Sequence, residues 1–330
     1  MTRAGALVAE DLQITFLVHK GKEYTVRKYL RSWGRALSGV RVRARNYPDL
    51  RSTARTPWKK LTHAWRSWRL GTLRGPAGPA GTPQVYVFTD VDRLSPAEVE
   101  TAAALHRRLE DHADTRRILN GPRRPMLRFE LLRTLHERGI NDFDVYRAAD
   151  RPTPRRWPVF VRSESDHGGM SPLLHTPEEL ARELARKPSG PADDRVVIEF
   201  LDAADEHGVV RKYGAFRVGE RILARQIHFS RQWVVRFPDI RTPETAAEEL
   251  DYVRGNPHAG ELFDVFELAR IDYGRVDYSV VGGRVQVWEI NTNPMILIPR
   301  DRLDPLRAPA HDAFGQAFNA ALEALVQDPR

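Results

Sequence analysis

The most constraining stretch of this chain is 271–294, IDYGRVDYSVVGGRVQVWEINTNP. Two runs rich in β-branched residues, 276–281 and 285–290, flank Gly282-Gly283. Paired glycines supply the positive φ that a two-residue hairpin turn demands, so the spacing predicts an antiparallel hairpin. Side chains on a strand repeat every two residues, so Glu289 and Asn291 face the same way. The tight turn folds Asp277 of the first strand back toward that end of the second. Two carboxylates and an amide oxygen then converge. This hard-oxygen set suits Mg²⁺, which takes few protein ligands and fills its remaining positions with water and substrate phosphates. The bland alternative is a surface hairpin with solvated acids. Three oxygen ligands gathered at one strand end, followed by Thr292-Asn293-Pro294, argue against it.

The pattern resembles the metal-binding hairpin of the ATP-grasp superfamily, in which an Asp and then Glu-x-Asn on the next strand hold the Mg²⁺ that bridges the ATP phosphates. The resemblance covers roughly residues 115–300, and within it the hairpin alone is specific enough to stand by itself. It implies a mixed α/β and α+β chain: an ATP-grasp fold preceded by a doubly wound, mainly parallel domain. The members it is most similar to are carboxylate–amine ligases such as glutathione synthetase and D-alanine–D-alanine ligase.

With 330 residues the chain has room for two or three packed domains. The expected division is an N-terminal α/β domain over 1–150 and a nucleotide-binding domain over 151–330, the latter split into subdomains near 205. There is no cysteine, which excludes disulfides, thiolate catalysis and Cys-based zinc sites. The first residues carry acids where a signal peptide needs an apolar run, and no window approaches the length of a membrane span. The expectation is a cytoplasmic protein with no membrane partner and with homodimerisation open. The net charge of +8 favours an anionic partner, whether nucleotide, acidic substrate or nucleic acid.

In the first half, the apolar run at 14–18 reads as a buried strand. Tyr24, Val26, Tyr29, Leu30, Trp33 and Leu37 follow at helical spacing, and 40–45 alternates apolar and basic like a half-exposed strand. Arginine and lysine are dense over 41–69, with Trp58, Trp65 and Trp68 between them. Such a mixture can stack bases or grip phosphates. The favoured reading is a helix that packs its Trp face on the protein and turns its basic face to solvent. The segment 71–83 is rich in Gly and Pro and reads as a flexible surface loop. A strand at 85–88, a helix opened by the capping box Ser95–Glu98, a strand near 118–120 and a helix over 126–138 imply a mainly parallel sheet. Asn120, Pro122 and Arg128 match, by position, an Asn-x-Pro turn leading into a helix with a basic residue in the related ligases.

In the second half, the apolar strand 158–162 ends on Arg162, ahead of Ser163 to Ser171 with Gly168-Gly169 inside. The family places a lysine on the ATP phosphates at that strand end, then a glycine-rich loop whose amides close over them. Arginine keeps the charge but binds phosphate as a planar fork rather than a point. His167 either touches the γ-phosphate or has no role. The strand 195–201 is the one that, by the resemblance, passes the adenine edge along the backbone of Glu199, Phe200 and Leu201. Asp202 and Asp205 are both candidates for the ribose hydroxyls. A second hairpin, 211–216 and 221–228, carries Lys212 and Arg225, which match basic residues facing the γ-phosphate and acyl group in glutathione-synthetase-like members. Helices over 243–254, stopped at Gly255, and 260–269 complete the domain.

The resemblance therefore implies an ATP- and Mg²⁺-dependent ligase that joins a small-molecule or peptide carboxylate to an amine through an acylphosphate. Two other classes stay open: a phosphotransferase on the same fold, and a nucleic-acid- or nucleotide-binding protein with a vestigial ATP site, the less favoured partner class.

Overall fold

In LQITFLV every residue but the first is buried, and the segment forms β1 (Leu12–Val18) at the heart of an all-parallel sheet. Continuous apolar runs are the mark of strands covered on both faces. The computed structural model describes residues 12–47, 84–165, 169–186 and 194–327. The basic, Trp-bearing segment beyond residue 47, the loop 71–83, His167 and Gly168 lie outside the described residues.

The chain divides into two units. The first comprises 1–123, 295–299 and 319–330. Its sheet runs β2 (Val40–Asn46), β1, β3 (Gln84–Phe88), β4 (Thr115–Leu119), all parallel. Helix α1 (Tyr24–Ser32) connects β1 to β2, and α2 (Pro96–Glu110) connects β3 to β4. The Ser95–Glu98 capping box forms as expected, with Ser95 N–H donating to Glu98 at 2.8 Å. Leu17, Tyr86, Phe88, Ala102, Leu105 and Leu109 form the core between sheet and α2.

The second unit comprises 124–294 and 300–318. Helix α3 (Arg128–Glu137) leads into an antiparallel three-stranded sheet ordered β5 (Val145–Arg147), β7 (Arg195–Glu199), β6 (Val159–Ser163), with α4 (Pro177–Leu184) between β6 and β7. A four-stranded antiparallel sheet follows, ordered β11 (Arg284–Asn291), β10 (Tyr273–Val281), β8 (Val210–Val218), β9 (Arg221–Ser230). Helices α5 (Pro243–Gly255) and α6 (Ala259–Ala269) lie between β9 and β10 in the chain. The last helix, α7 (Ala308–Gln327), contributes residues to each unit. One core joins the two sheets through Leu131, Leu135, Ile198, Phe266, Val276 and Tyr278. The left-handed residue ending α5 is Asn256 at φ 45°, not Gly255, because the asparagine side chain bonds the carbonyl of Ile222 at 2.8 Å and holds that geometry.

Candidate functional site

The hairpin forms as its spacing predicts. Gly282 and Gly283 have φ of 57° and 76°, the left-handed pair that joins β10 to β11 with a twist the strands accept. Asp277 and Glu289 are direct cross-strand partners, and Asn291 faces Arg275 one step on. Directly opposed residues share a sheet face. Two carboxylates so placed repel unless cations intervene.

Four cations do. Arg275 grips Asp277 with Nε at 2.7 Å and Nη2 at 3.1 Å, and Lys212 Nζ stands 3.2 Å away. Arg128 Nη2 lies 2.7 Å from Glu289, and Arg162 Nη2 lies 3.3 Å from the same oxygen. Arg128 also donates to the carbonyls of Ser163 and Glu164, at 2.8 and 2.6 Å, which ties α3 to the end of β6. Asp277 is 3 % exposed. Burial alone would raise its carboxyl, but Arg275 and Lys212 outweigh that and hold it well below the usual range. Around the two acids there is an excess of two positive charges, the opposite of what a magnesium-bound triphosphate carries.

Among the described residues no three His, Cys, Asp or Glu side chains gather to hold a metal. A metal at the hairpin would rest on Asp277, Glu289 and the Asn291 amide, whose oxygen accepts from Asn293 N–H at 2.9 Å. That all-oxygen set fits Mg²⁺ in company with phosphates, which would draw the four cations off the carboxylates. It does not fit a metal bound by protein alone.

Arg275 is absent from the sequence-based candidates, yet it makes the closest contact with Asp277. It sits two residues before the acid, so both point from one face. Gly214 is the cross-strand neighbour of Asp277 on β8. A Cβ there would come within 3.2 Å of Gln226 Cγ on β9, a tight approach, and would make an ordinary contact, 3.4 Å, with Arg275 Cδ.

The expected place of Arg225 is beside Lys212, facing the transferred phosphoryl. The pairing of β8 with β9 slips between Gly214 and Ala215, and Arg225 is the extra residue of that bulge. Its guanidinium lies 4.9 Å from the centre of the Phe314 ring, is 4 % exposed, and falls to a pKa of about 9 through burial despite the field of Glu249. Glu249 is itself buried and receives Arg307 through both Nε, at 2.7 Å, and Nη2. His228, directly opposite Lys212, and His311 are both pushed down to about 2, first by burial. Lys212, Arg307 and Arg275 add to the effect on His228, and Arg225 and Arg307 to that on His311. His228 Nδ1 has no partner among the described residues.

The expected adenine strand ends differently from the way its residues suggest. Glu199 turns its carboxylate inward, where it accepts from Tyr146 Oη at 2.8 Å and from the N–H groups of Arg155 and Arg156 at 3.0 Å each. Its own N–H donates to Asp144, and that of Phe200 to Pro158. Those two amides are therefore spent in this structure, and Leu201 follows them at the strand end. Asp205 is committed as well. It accepts from the N–H groups of His207 and Val209 at 2.9 Å each and pairs with Arg211; the Val209 N–H first, and then Arg211, bring its carboxyl to about 2. Asp202 accepts only from Ala204 N–H among the described residues and is exposed. Of the glycine-loop residues Gly169 is described, and a Cβ there would meet nothing within 4 Å.

No protein-family model matches the sequence, and no curated protein does. Solved structures do. D-alanine–D-alanine ligase from Bacillus anthracis, in a crystal complexed with ATP, superimposes with a TM-score of 0.50 at 14 % identity, over 96 % of this chain and 99 % of that one. L-amino acid ligase from Bacillus licheniformis gives 0.47 at 11 % identity, over 95 % and 75 %. A RimK domain ATP-grasp protein from Sphaerobacter thermophilus gives 0.46 at 14 %, over 96 % and 100 %. The chain has an ATP-grasp-like fold, by its superposition on the D-alanine–D-alanine ligase: here a parallel four-stranded sheet, then two antiparallel sheets. Among the described residues no helix is long and apolar enough to cross a membrane.

Proposed function

We propose that the protein is an ATP-dependent carboxylate–amine ligase. The observation that carries the reading is the opposed pair Asp277–Glu289 ringed by Arg128, Arg162, Lys212 and Arg275. A partly buried cluster with surplus positive charge stabilises phosphoryl groups as they move, because the donors are in place before charge develops. That a protein of this fold was crystallised with ATP supports the nucleotide assignment.

In this reading Asp277, Glu289 and Asn291 would hold Mg²⁺, which when bound would supply charge neutralisation at the phosphates. Arg128 and Arg162 take the nucleotide phosphates from the β6 side. Lys212 and Arg275 face the transferred group and the acyl oxygen. A substrate carboxylate oxygen attacks the γ-phosphorus and ADP leaves. The amine nitrogen then attacks the acyl carbon, phosphate leaves with the C–O electron pair, and the nitrogen's proton passes to the departing phosphate. Asp202 takes the ribose hydroxyls, since Asp205 is held by Arg211.

The experiment incubates the protein with Mg-ATP, a pool of carboxylates, and hydroxylamine. A ligase converts its carboxylate to a hydroxamate, because hydroxylamine intercepts the acylphosphate, and releases ADP in equal amount. ADP with a stable phosphoester and no hydroxamate would establish a phosphotransferase. No nucleotide turnover across a broad pool would refute both. The nucleic-acid reading rested on 41–69, and from residue 48 onward that segment lies outside the described residues.

A further inference from the structure

Between 170–172 and the loop after β9 lies an open cavity of about 560 Å³, well inside the range for small-molecule sites. Its loop, 231–239, is pinned at the base. Asp239 and Ile240 N–H groups donate to the Phe229 carbonyl, Arg231 N–H donates to the Asp239 carboxylate at 3.2 Å, and Gln232 N–H donates to Ser230 Oγ at 2.9 Å. The tip is therefore presented by a closed base rather than trailing from a frayed strand. One wall is fixed: Trp233 packs against Phe160 and Phe200, with ring centres 5.3 and 5.7 Å apart. The other is uncommitted. Phe237 is 77 % exposed, the most of any large apolar side chain described, and Arg236 makes no hydrogen bond or ion pair among the described residues.

A single exposed phenylalanine needs no explanation. A phenylalanine, a tryptophan and an unpaired arginine lining one cavity do. The cavity also adjoins the candidate chemistry: Met170 bridges to Arg162 on β6, and Ser230 lies two residues past His228, the cross-strand partner of Lys212. We propose that this cavity is the subsite of a carboxylate bearing an aromatic or large aliphatic group, that group held between Trp233 and Phe237 and the carboxylate paired with Arg236. Calling this molecule a substrate of the ligation rests on the ligase reading; its binding does not.

The test is ligand-observed NMR and calorimetry on the full chain, with L-phenylalanine as probe, alone and with a non-hydrolysable Mg-ATP analogue. L-Alanine lacks the ring and phenethylamine lacks the carboxylate. Saturable L-phenylalanine binding is expected, at least roughly tenfold tighter than either control, since each lacks one of the two anchors. Arg236→Ala should weaken L-phenylalanine about tenfold or more while leaving phenethylamine unchanged. Phe237→Ser, at a side chain too exposed to matter for folding, should weaken L-phenylalanine and leave L-alanine unchanged. Three results would overturn the proposal: no saturable binding with or without nucleotide analogue, wild-type affinity in both variants, or displacement of L-phenylalanine by adenosine. L-Phenylalanine binding with no nucleotide binding would sink the ligase reading and leave the subsite standing.

Discussion

In the ligand-free protein the candidate metal ligands are already occupied by cations, so metal and nucleotide should bind together and poorly apart. Arg128→Met tests this because it predicts two effects of opposite sign. Arg128 Nη2 sits 2.7 Å from Glu289, with the arginine side chain 7 % exposed. A divalent ion approaching alone must displace that contact. A charge-assisted hydrogen bond is worth about 1.5–3 kcal/mol, or roughly 10- to 150-fold in affinity. Arg162, at 3.3 Å, is a weaker competitor for the same oxygen. Without nucleotide, then, Arg128→Met should bind Mn²⁺ tighter by roughly ten- to a hundredfold. With ATP present it should bind the pair more weakly than wild type, having lost a phosphate contact. Electron paramagnetic resonance of free Mn²⁺, titrated with and without nucleotide, measures both. If the variant bound Mn²⁺ alone no better than wild type, the account of Glu289 as a masked ligand would be wrong.

Four further outcomes are expected. Arg162→Ala should lower ATP affinity by one charge-assisted contact, about 1.5–3 kcal/mol by calorimetry, and an unchanged affinity would remove Arg162 from the phosphate site. Arg275→Gln should leave the denaturation midpoint nearly unchanged if Lys212 keeps Asp277 paired, yet cut ADP formation by at least roughly tenfold; normal turnover would make Arg275 structural. Glu249→Gln strips the buried partner of Arg307, beside Arg225, and should cost about 3–5 kcal/mol in urea denaturation; a loss below about 1 kcal/mol would contradict the buried pair. The fourth outcome concerns pH. His228 and His311 titrate near 2 when folded and near their ordinary value of about 6.5 when unfolded. Between those values the unfolded chain binds more protons, so their contribution is complete above pH 6.5 and is lost as pH falls. By pH 5 this amounts to up to about 2 kcal/mol for each, less for His228, the less enclosed of the two. Replacing both with Gln should flatten the fall in denaturation midpoint between pH 7 and 5, and an unaltered slope would refute it.

Much of the site was legible before the structure because the hairpin is local. Period-two alternation and Gly282-Gly283 give the hairpin, but counting back from the turn pairs Asp277 with Trp288; a bulge between Asp277 and Tyr278 moves the pairing to Glu289. The capping box at Ser95 is legible for the same reason, since the motif closes within four residues. Arg275 was not, because on a strand of unknown neighbours an arginine near an acid reads as a solvated charge. Its role depends on β10 lying beside β8, a pairing across 60 residues of chain that puts Gly214 opposite Asp277. The bulge at Arg225 is not legible either, since nothing in ILARQIHFS announces it. Glu249, Arg307 and His311 meet from separate elements, so no short-range pattern could group them. Asp202 and Asp205 look alike in sequence. They part only when the turn at 205–209 folds and Arg211 closes on one of them.

On the proposed function, the face carrying Asp277 and Glu289 binds ATP through a divalent cation. Calorimetric titration of a non-hydrolysable ATP analogue into wild type and Glu289→Gln, each with and without Mg²⁺, tests it directly. The account predicts one site in wild type whose affinity rises at least roughly tenfold with Mg²⁺, and a Glu289→Gln variant that stays folded but shows no such gain. An equal gain in both proteins, or no nucleotide binding in either, would contradict it.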